Sequence, residues 1–223
     1  YLGAFSASMI RLEASPRERP QLTEVIAGLL DGARYVRGNR VVLALLVFGL
    51  TPGLVIYPFV FGLIPVYAAE VFHVGPTGLG LLLSASGVGM LLGTVIVASL
   101  GNIQAKGKLI IGGGALAIPG MAAFSQIPWF GGGLGILVLL SLSMPLIYTS
   151  VQAGIQSIVP DHLRGRIAGF TLLTWGALPV GSLVAGAVAQ TLGVQMSTLI
   201  GAGVLSVLLA AQILMFRFVW QLE

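Results

Sequence analysis

The chain contains no cysteine. Disulfides, thiolate metal sites and a cysteine nucleophile are therefore excluded, although nothing follows about compartment. Charge is scarce as well. Lys and Arg number 11 and Asp and Glu 7, so 8% of the 223 residues are charged, against roughly 25% in a soluble domain. From residue 41 to residue 105 the single such charge is Glu70, and between Lys108 and Arg217 only Asp161, Arg164 and Arg166 occur. His73 and His162 stand in separate loops with no carboxylate cluster around either, which argues against a metal centre. The glycine runs Gly112 to Gly114 and Gly131 to Gly133 neither follow a strand nor precede Lys-Ser/Thr, so they are not phosphate loops. No nucleophile, base and acid come together in the sequence, and the chain does not read as an enzyme. Neither cofactor nor metal is expected.

What is present is apolar. Hydrophobic residues make up 57% of the chain, and the mean hydropathy is +1.01. Runs of about 20 apolar residues are the signal of membrane-spanning segments. The runs are continuous rather than alternating, which selects helices over a barrel. The expected fold class is an all-α membrane protein, a six-helix transmembrane bundle. Residues 1–10 read as the end of a preceding transmembrane helix, so the chain is expected to be a fragment. Residues 11–40 form a cytoplasmic linker. It begins with the polar stretch Arg11 to Pro20 and continues with an amphipathic segment. There Leu22, Val25, Ile26, Leu29, Leu30, Ala33 and Val36 share one helical face, opposite Thr23, Glu24, Asp31, Arg34 and Arg37. Such a helix lies at the membrane interface or packs on the protein itself; the pattern allows both. Residues 41–219 hold six spans: Val41 to Ala69, Gly78 to Leu100, Leu109 to Gln126, Gly132 to Val159, Ile167 to Gln190 and Ser197 to Val219. Residues 220–223 are a tail. Pro52, Pro58 and Pro65 predict kinks in the first span.

The basic residues fix a direction. Six arginines precede the first span, Lys106 and Lys108 follow the second, Arg164 and Arg166 follow the fourth, and Arg217 closes the sixth. All 11 fall on one side of the six-span arrangement, and the rule that short basic loops stay inside puts both ends of this multi-pass cell-membrane protein in the cytoplasm. The net charge of +4 thus reflects orientation, not a nucleic-acid partner.

Three features carry a family resemblance. They are the basic linker with an amphipathic helix after a truncated span, the stretch Gly87-Val88-Gly89-Met90-Leu91-Leu92-Gly93 followed by a short basic loop, and Pro160-Asp161-His162-Leu163-Arg164-Gly165-Arg166 between the fourth and fifth spans. On these the chain resembles the C-terminal six-helix half of a major facilitator superfamily transporter, of the branch that exports drugs and siderophores. The resemblance implies half of that fold, with the other six-helix half, or a second copy, as partner alongside membrane lipid and a small-molecule substrate. It further implies that the first and fourth spans line a central cavity, that the third and sixth are peripheral, and that the second and fifth meet the other half.

Candidate site residues fall into three groups. Ala85, Gly89 and Gly93 form a small-residue stripe on the second span, and Ser182 and Gly186, with Gly176 and Gly181, form another on the fifth. Small residues permit close helix approach, within the bundle or at the interface with the other half. Asp161, Arg164 and Arg166 are candidates for a cytoplasmic gate, with Asp161 and Arg164 as the pair. Thr51, Tyr57, Tyr148, Gln152, Thr171 and Trp175 are the candidate substrate pathway; Thr149, Gln156, Ser141, Ser143 and Thr174 lie nearby. Polar groups at membrane depth need a cavity or a partner helix. Tyr148 and Gln152, and likewise Thr171 and Trp175, are four residues apart and so share a helix face. Apart from Arg217 at the end of the sixth, the spans hold no Asp, Glu, Lys, Arg or His. A proton relay is therefore expected in the other half, or at Glu70, and uncharged or amphipathic substrates fit better than strongly charged ones. The leading expectation is a secondary transporter exporting small organic molecules by alternating access. The alternative is a non-transporting six-helix scaffold or assembly subunit.

Overall fold

A computed structural model describes residues 31–100 and 106–216, without the side chains of residues 162 and 172–174. The helix end at 1–10, most of the linker, Arg217 and the tail at 220–223 lie outside the described residues. The described chain is helical and forms an all-α membrane bundle. Residues 31–38 are helical. They are followed by α1 (Arg40–Val71), α2 (Pro76–Ser99), α3 (Lys106–Gln126), α4 (Phe130–Ile158), α5 (Asp161–Gly176), α6 (Leu178–Leu192) and α7 (Val194–Met215). Helices α1 to α4 and α7 are long and apolar enough to cross a membrane.

The expected fifth span is not one helix. It is α5 and the shorter apolar α6, joined at Ala177. Pro179 explains the break, because it has no N–H to give the carbonyl of Trp175 four residues earlier. The charged stretch 161–166 is not an extended loop either. It is the first turn and a half of α5, with the Leu163 N–H donating to Pro160 O at 2.9 Å.

Prolines also shape α1. Asn39 caps its start, its Oδ1 accepting from the N–H groups of Val41 and Val42 at 3.1 and 3.2 Å. The helix is regular to Thr51, then widens into a π-turn at Pro52–Ile56, tightens to 3-10 geometry at Phe61–Leu63 and widens again at Tyr67–Val71. Val60 leaves the helical region altogether, at φ −121° and ψ −71°. Pro52, Pro58 and Pro65 each remove one donor and crowd the preceding turn, so the hydrogen-bond ladder must re-register.

Helix α4 is central, packing most extensively on α2 and α3 and meeting α1 along part of its length. The α2–α4 contact depends on glycine. A Cβ on Gly89 would collide with Val138 O and approach Ser141 Cβ to 2.7 Å, and one on Gly93 would lie 2.6 Å from Leu142 O. Close approach of backbones lets dispersion hold helices together where lipid removes the hydrophobic drive. Gly181 does the same for α6 against α1, with Pro58 Cγ at 2.6 Å from its notional Cβ.

Helix α7 is not a bare peripheral helix. Its buried face carries Ser197, Thr198 and Gln212. Ser197 Oγ donates to Ala185 O at 2.9 Å, Thr198 Oγ1 to Phe59 O at 2.8 Å, and Gln212 Nε2 to Thr51 Oγ1 at 2.7 Å. The first ties α7 to α6; the other two reach α1, at Phe59 within its irregular stretch and at Thr51 just before it.

The two ends of the bundle differ in chemistry. At one end are the starts of α1, α3 and α5 and the end of α4. There Arg166 meets Asp31 at 3.1 Å, Arg164 meets Asp161 at 2.8 Å, and Lys106 donates to Ser157 Oγ at 3.0 Å. At the other end, Tyr67, Phe72, Phe124 and Phe130 interlock, the Tyr67 and Phe124 ring centres 4.6 Å apart. The described part of the amphipathic segment packs on the protein. Val36 is buried, a Cβ on Gly32 would lie 2.8 Å from the Phe170 ring, and Asp31 bridges Arg34 and Arg166.

Candidate functional site

The π-turn at Pro52–Ile56 shifts the face of α1 that points at α4, and a cavity of about 350 Å³ opens halfway along the bundle. Gly49, Pro52, Gly53 and Tyr57 of α1 form one wall, Met144, Pro145, Tyr148 and Thr149 of α4 a second, and Met90 and Thr94 of α2 a third. Trp175, the last turn of α5 before the break, closes the fourth side. Its ring stands edge-on to both tyrosines, with centroids 5.9 Å from Tyr57 and 5.7 Å from Tyr148. Edge-to-face packing at this separation is the favoured aromatic geometry, so the three rings brace one another and hold the cavity open.

A second cavity, about 250 Å³, adjoins it on the basic side. Tyr148 belongs to both. The second is lined by Gln152, Ile155 and Gln156 of α4 and Arg164, Ala168 and Thr171 of α5. Tyr148 OH lies 3.4 Å from Gln152 Nε2, and Thr171 Oγ1 donates to Ile167 O at 3.2 Å. Arg164 is tied twice, through Nη1 to Asp161 and through Nη2 to Gln156 O at 3.1 Å. The upper chamber is thus aromatic and apolar, and the lower one polar with one cation at its wall.

The structure brings five of the six expected pathway residues together: Tyr57, Tyr148, Gln152, Thr171 and Trp175. Thr51 lies elsewhere. It is buried against Gln212 on α7, its Oγ1 also 3.4 Å from Val47 O. Ser141 and Ser143 are buried away from both chambers, Ser143 donating to Leu140 O at 2.6 Å. The small-residue stripes divide. Gly89 and Gly93 are buried on α4 of the same bundle, Ala85 is half-buried, Ser182 is exposed, and Gly186 faces open space. Asp161 and Arg164 do pair, but three residues apart on α5 and largely exposed, so the pair joins no two helices, while Arg166 turns to Asp31 and does link two elements. Met90, Thr94, Met144 and Gln212 were not among the candidates. The four-residue spacing of Met90 and Thr94, one position beyond Gly89 and Gly93, was the available signal for the first two.

The family model described as transmembrane secretion effector matches residues 4–222. The chain is 28% identical over 193 residues to the multidrug efflux pump Tap of Mycolicibacterium fortuitum, covering 83% of this chain and 46% of that pump. It is 28% identical over 195 residues to Tap of Mycobacterium tuberculosis, covering 85% of this chain and 45% of the pump. The chain therefore spans a little under half the length of these relatives. No solved structure matches it.

Proposed function

This chain belongs to the transmembrane secretion effector family of the major facilitator superfamily, and on that premise we propose that it is the C-terminal half of an exporter of small organic molecules working by alternating access. The observation that carries the reading is the aromatic chamber between α1, α2, α4 and α5, halfway along the bundle and beside two breaks in helix geometry. Midplane sites flanked by discontinuous helices are where secondary transporters bind cargo. Tyr57, Tyr148 and Trp175 offer ring faces and edges without charge, which suits uncharged or amphipathic cargo with an apolar, ring-bearing body.

In this reading the basic end faces the cytoplasm, because short basic segments are retained there. The Asp31–Arg166 bridge and the Arg164–Gln156 O contact tie α5 to its neighbours at that end and part when the bundle rocks, while Asp161, on the same helix, holds Arg164 in place. Exposed apolar side chains on α2, such as Leu91 and Val95, and on α6, such as Leu183, face lipid and the second six-helix half or a second copy. Ser182 and Gly186 add a flat patch to that surface. Proton coupling resides in the other half, as Glu70 sits exposed at the end of α1, away from both chambers. The relatives' drug-efflux role supports export over import.

The test is accumulation of a fluorescent, ring-bearing dye in cells with and without the complete reading frame that encodes this chain. Lower accumulation with the protein, restored by Trp175→Ala together with Tyr148→Ala at equal membrane abundance, is the expected result. Equal accumulation with and without the protein, across a panel of dyes, would favour the scaffold reading instead. Asp161→Lys adds a second check: it should weaken efflux while leaving membrane insertion intact, since it replaces an attraction to Arg164 by a repulsion.

A further inference from the structure

Tyr148 divides two chambers of opposite character, and the division specifies a kind of cargo. On its upper side the ring packs edge-on to Trp175; on its lower side the hydroxyl meets Gln152 Nε2 at 3.4 Å. Below it, the amide of Gln152 and the guanidinium of Arg164 line the second cavity from facing helices. The guanidinium presents five donors and no acceptor. In this structure its Nη1 is held by Asp161 at 2.8 Å and its Nη2 by Gln156 O at 3.1 Å. Among the described residues no Asp or Glu lines either chamber, and Asp161 reaches the second only through its pair with Arg164. A cationic cargo would meet the guanidinium of Arg164 on the chamber wall. A cargo ending in a strong acceptor would meet donors at Arg164 and at the Gln152 amide.

Resting on the exporter reading above, we propose that the paired chambers form a bipolar substrate site selecting molecules with an apolar ring body and a carboxylate or similar acceptor at one end. The ring body lies against Tyr57, Tyr148 and Trp175. The acceptor end points to the basic side and is received by Gln152 and Arg164, which are specificity-determining residues. Asp161 is then the internal competitor: its carboxylate occupies Arg164 in the empty site, and the acceptor of the cargo displaces it. Loading therefore frees Asp161 within the first turn of α5.

Pyrenebutyrate, its uncharged methyl ester and a pyrene bearing a quaternary ammonium group share one ring and differ in the end group. Initial uptake of each is measured over a concentration series in inside-out vesicles carrying the complete reading frame that encodes this chain. The expected order of KM is pyrenebutyrate lowest and the ammonium compound highest. Arg164→Gln should raise KM for pyrenebutyrate about tenfold, the scale of losing one hydrogen bond to a charged group, and Arg164→Lys should recover part of it. Asp161→Asn should move the same KM the opposite way, because it removes the competing carboxylate. A purely structural pair would lose function in both variants and for all three probes alike. A KM ratio between butyrate and ester that neither variant changes, in a protein that still transports both, overturns the bipolar site and leaves the exporter reading standing. Uptake of none of the three, in vesicles where the protein is correctly inserted, overturns both.

Discussion

Gly87 and Gly89 stand two residues apart on α2 and predict opposite outcomes. Nothing lies within 4 Å of a Cβ on Gly87, whereas one on Gly89 meets the backbone of α4. Gly89→Ala should lower the unfolding temperature in detergent, with overpacking costing about 1–3 kcal/mol. Gly87→Ala should leave it unchanged or raise it, since alanine is the better helix former by about 1 kcal/mol. Native tryptophan fluorescence, from Trp129, Trp175 and Trp220, reports both. Thr51 and Gln212 offer a second test. Thr51→Val and Gln212→Leu each remove the 2.7 Å contact and leave the remaining partner only its longer bond to Val47 O. The double variant should recover part of the loss, with a coupling of about 0.6 to 1.7 kcal/mol, read from a denaturation cycle in bicelles. Additive losses would mean that the 2.7 Å contact contributes nothing.

At the scale of elements, the α5–α6 joint sets where Trp175 stands. Pro179→Ala restores a donor for Trp175 O and should fuse the two helices. Amide exchange around residues 177–181 should slow, and dye efflux should fall because the indole rotates away from Tyr57 and Tyr148. Unchanged exchange there would mean that the break has another cause. By hydropathy the continuous apolar run from Ile167 to Gln190 looks like one span, although Pro179 within it carries the same signal as the prolines of α1. Hydropathy counts residues and is blind to a single missing N–H. The kinks of α1 were legible, since Pro52, Pro58 and Pro65 act through their own covalent geometry, but the wide turns were not. Those turns re-aim everything that follows them, which is why Tyr57 reaches the chamber and Thr51 does not. The pairs Tyr148/Gln152 and Thr171/Trp175 were readable because α4 and α5 are regular over those turns, so four-residue spacing translates directly into a shared face. The glycine stripe told how closely α2 packs and not with which helix, because small size is permissive and carries no address. Gln212 escaped notice as a lone polar group near the end of an apolar run, its partner 161 residues earlier in the chain.

For the whole molecule, the segregation of basic residues makes an orientation test direct. The chain lacks cysteine, so single cysteines can be introduced without background. Ile127→Cys and Leu192→Cys should react with an impermeant maleimide added outside intact cells, and Gly165→Cys only after the membrane is opened. Labelling of Ile127→Cys from the cytosolic side alone would invert the bundle. The contrast between the two ends reaches further. One end is tied by the exposed ion pair of Asp31 with Arg166; the other is held by interlocked rings of Tyr67, Phe72, Phe124 and Phe130. Added electrolyte weakens the first kind of contact, with a screening length of about 8 Å at physiological strength and shorter above it, and leaves the second nearly untouched. With the basic end inside and alternating access as proposed, osmotic stress that concentrates cytosolic ions should therefore loosen the bundle at a single face, so the composition of the surrounding solution biases which way the molecule opens.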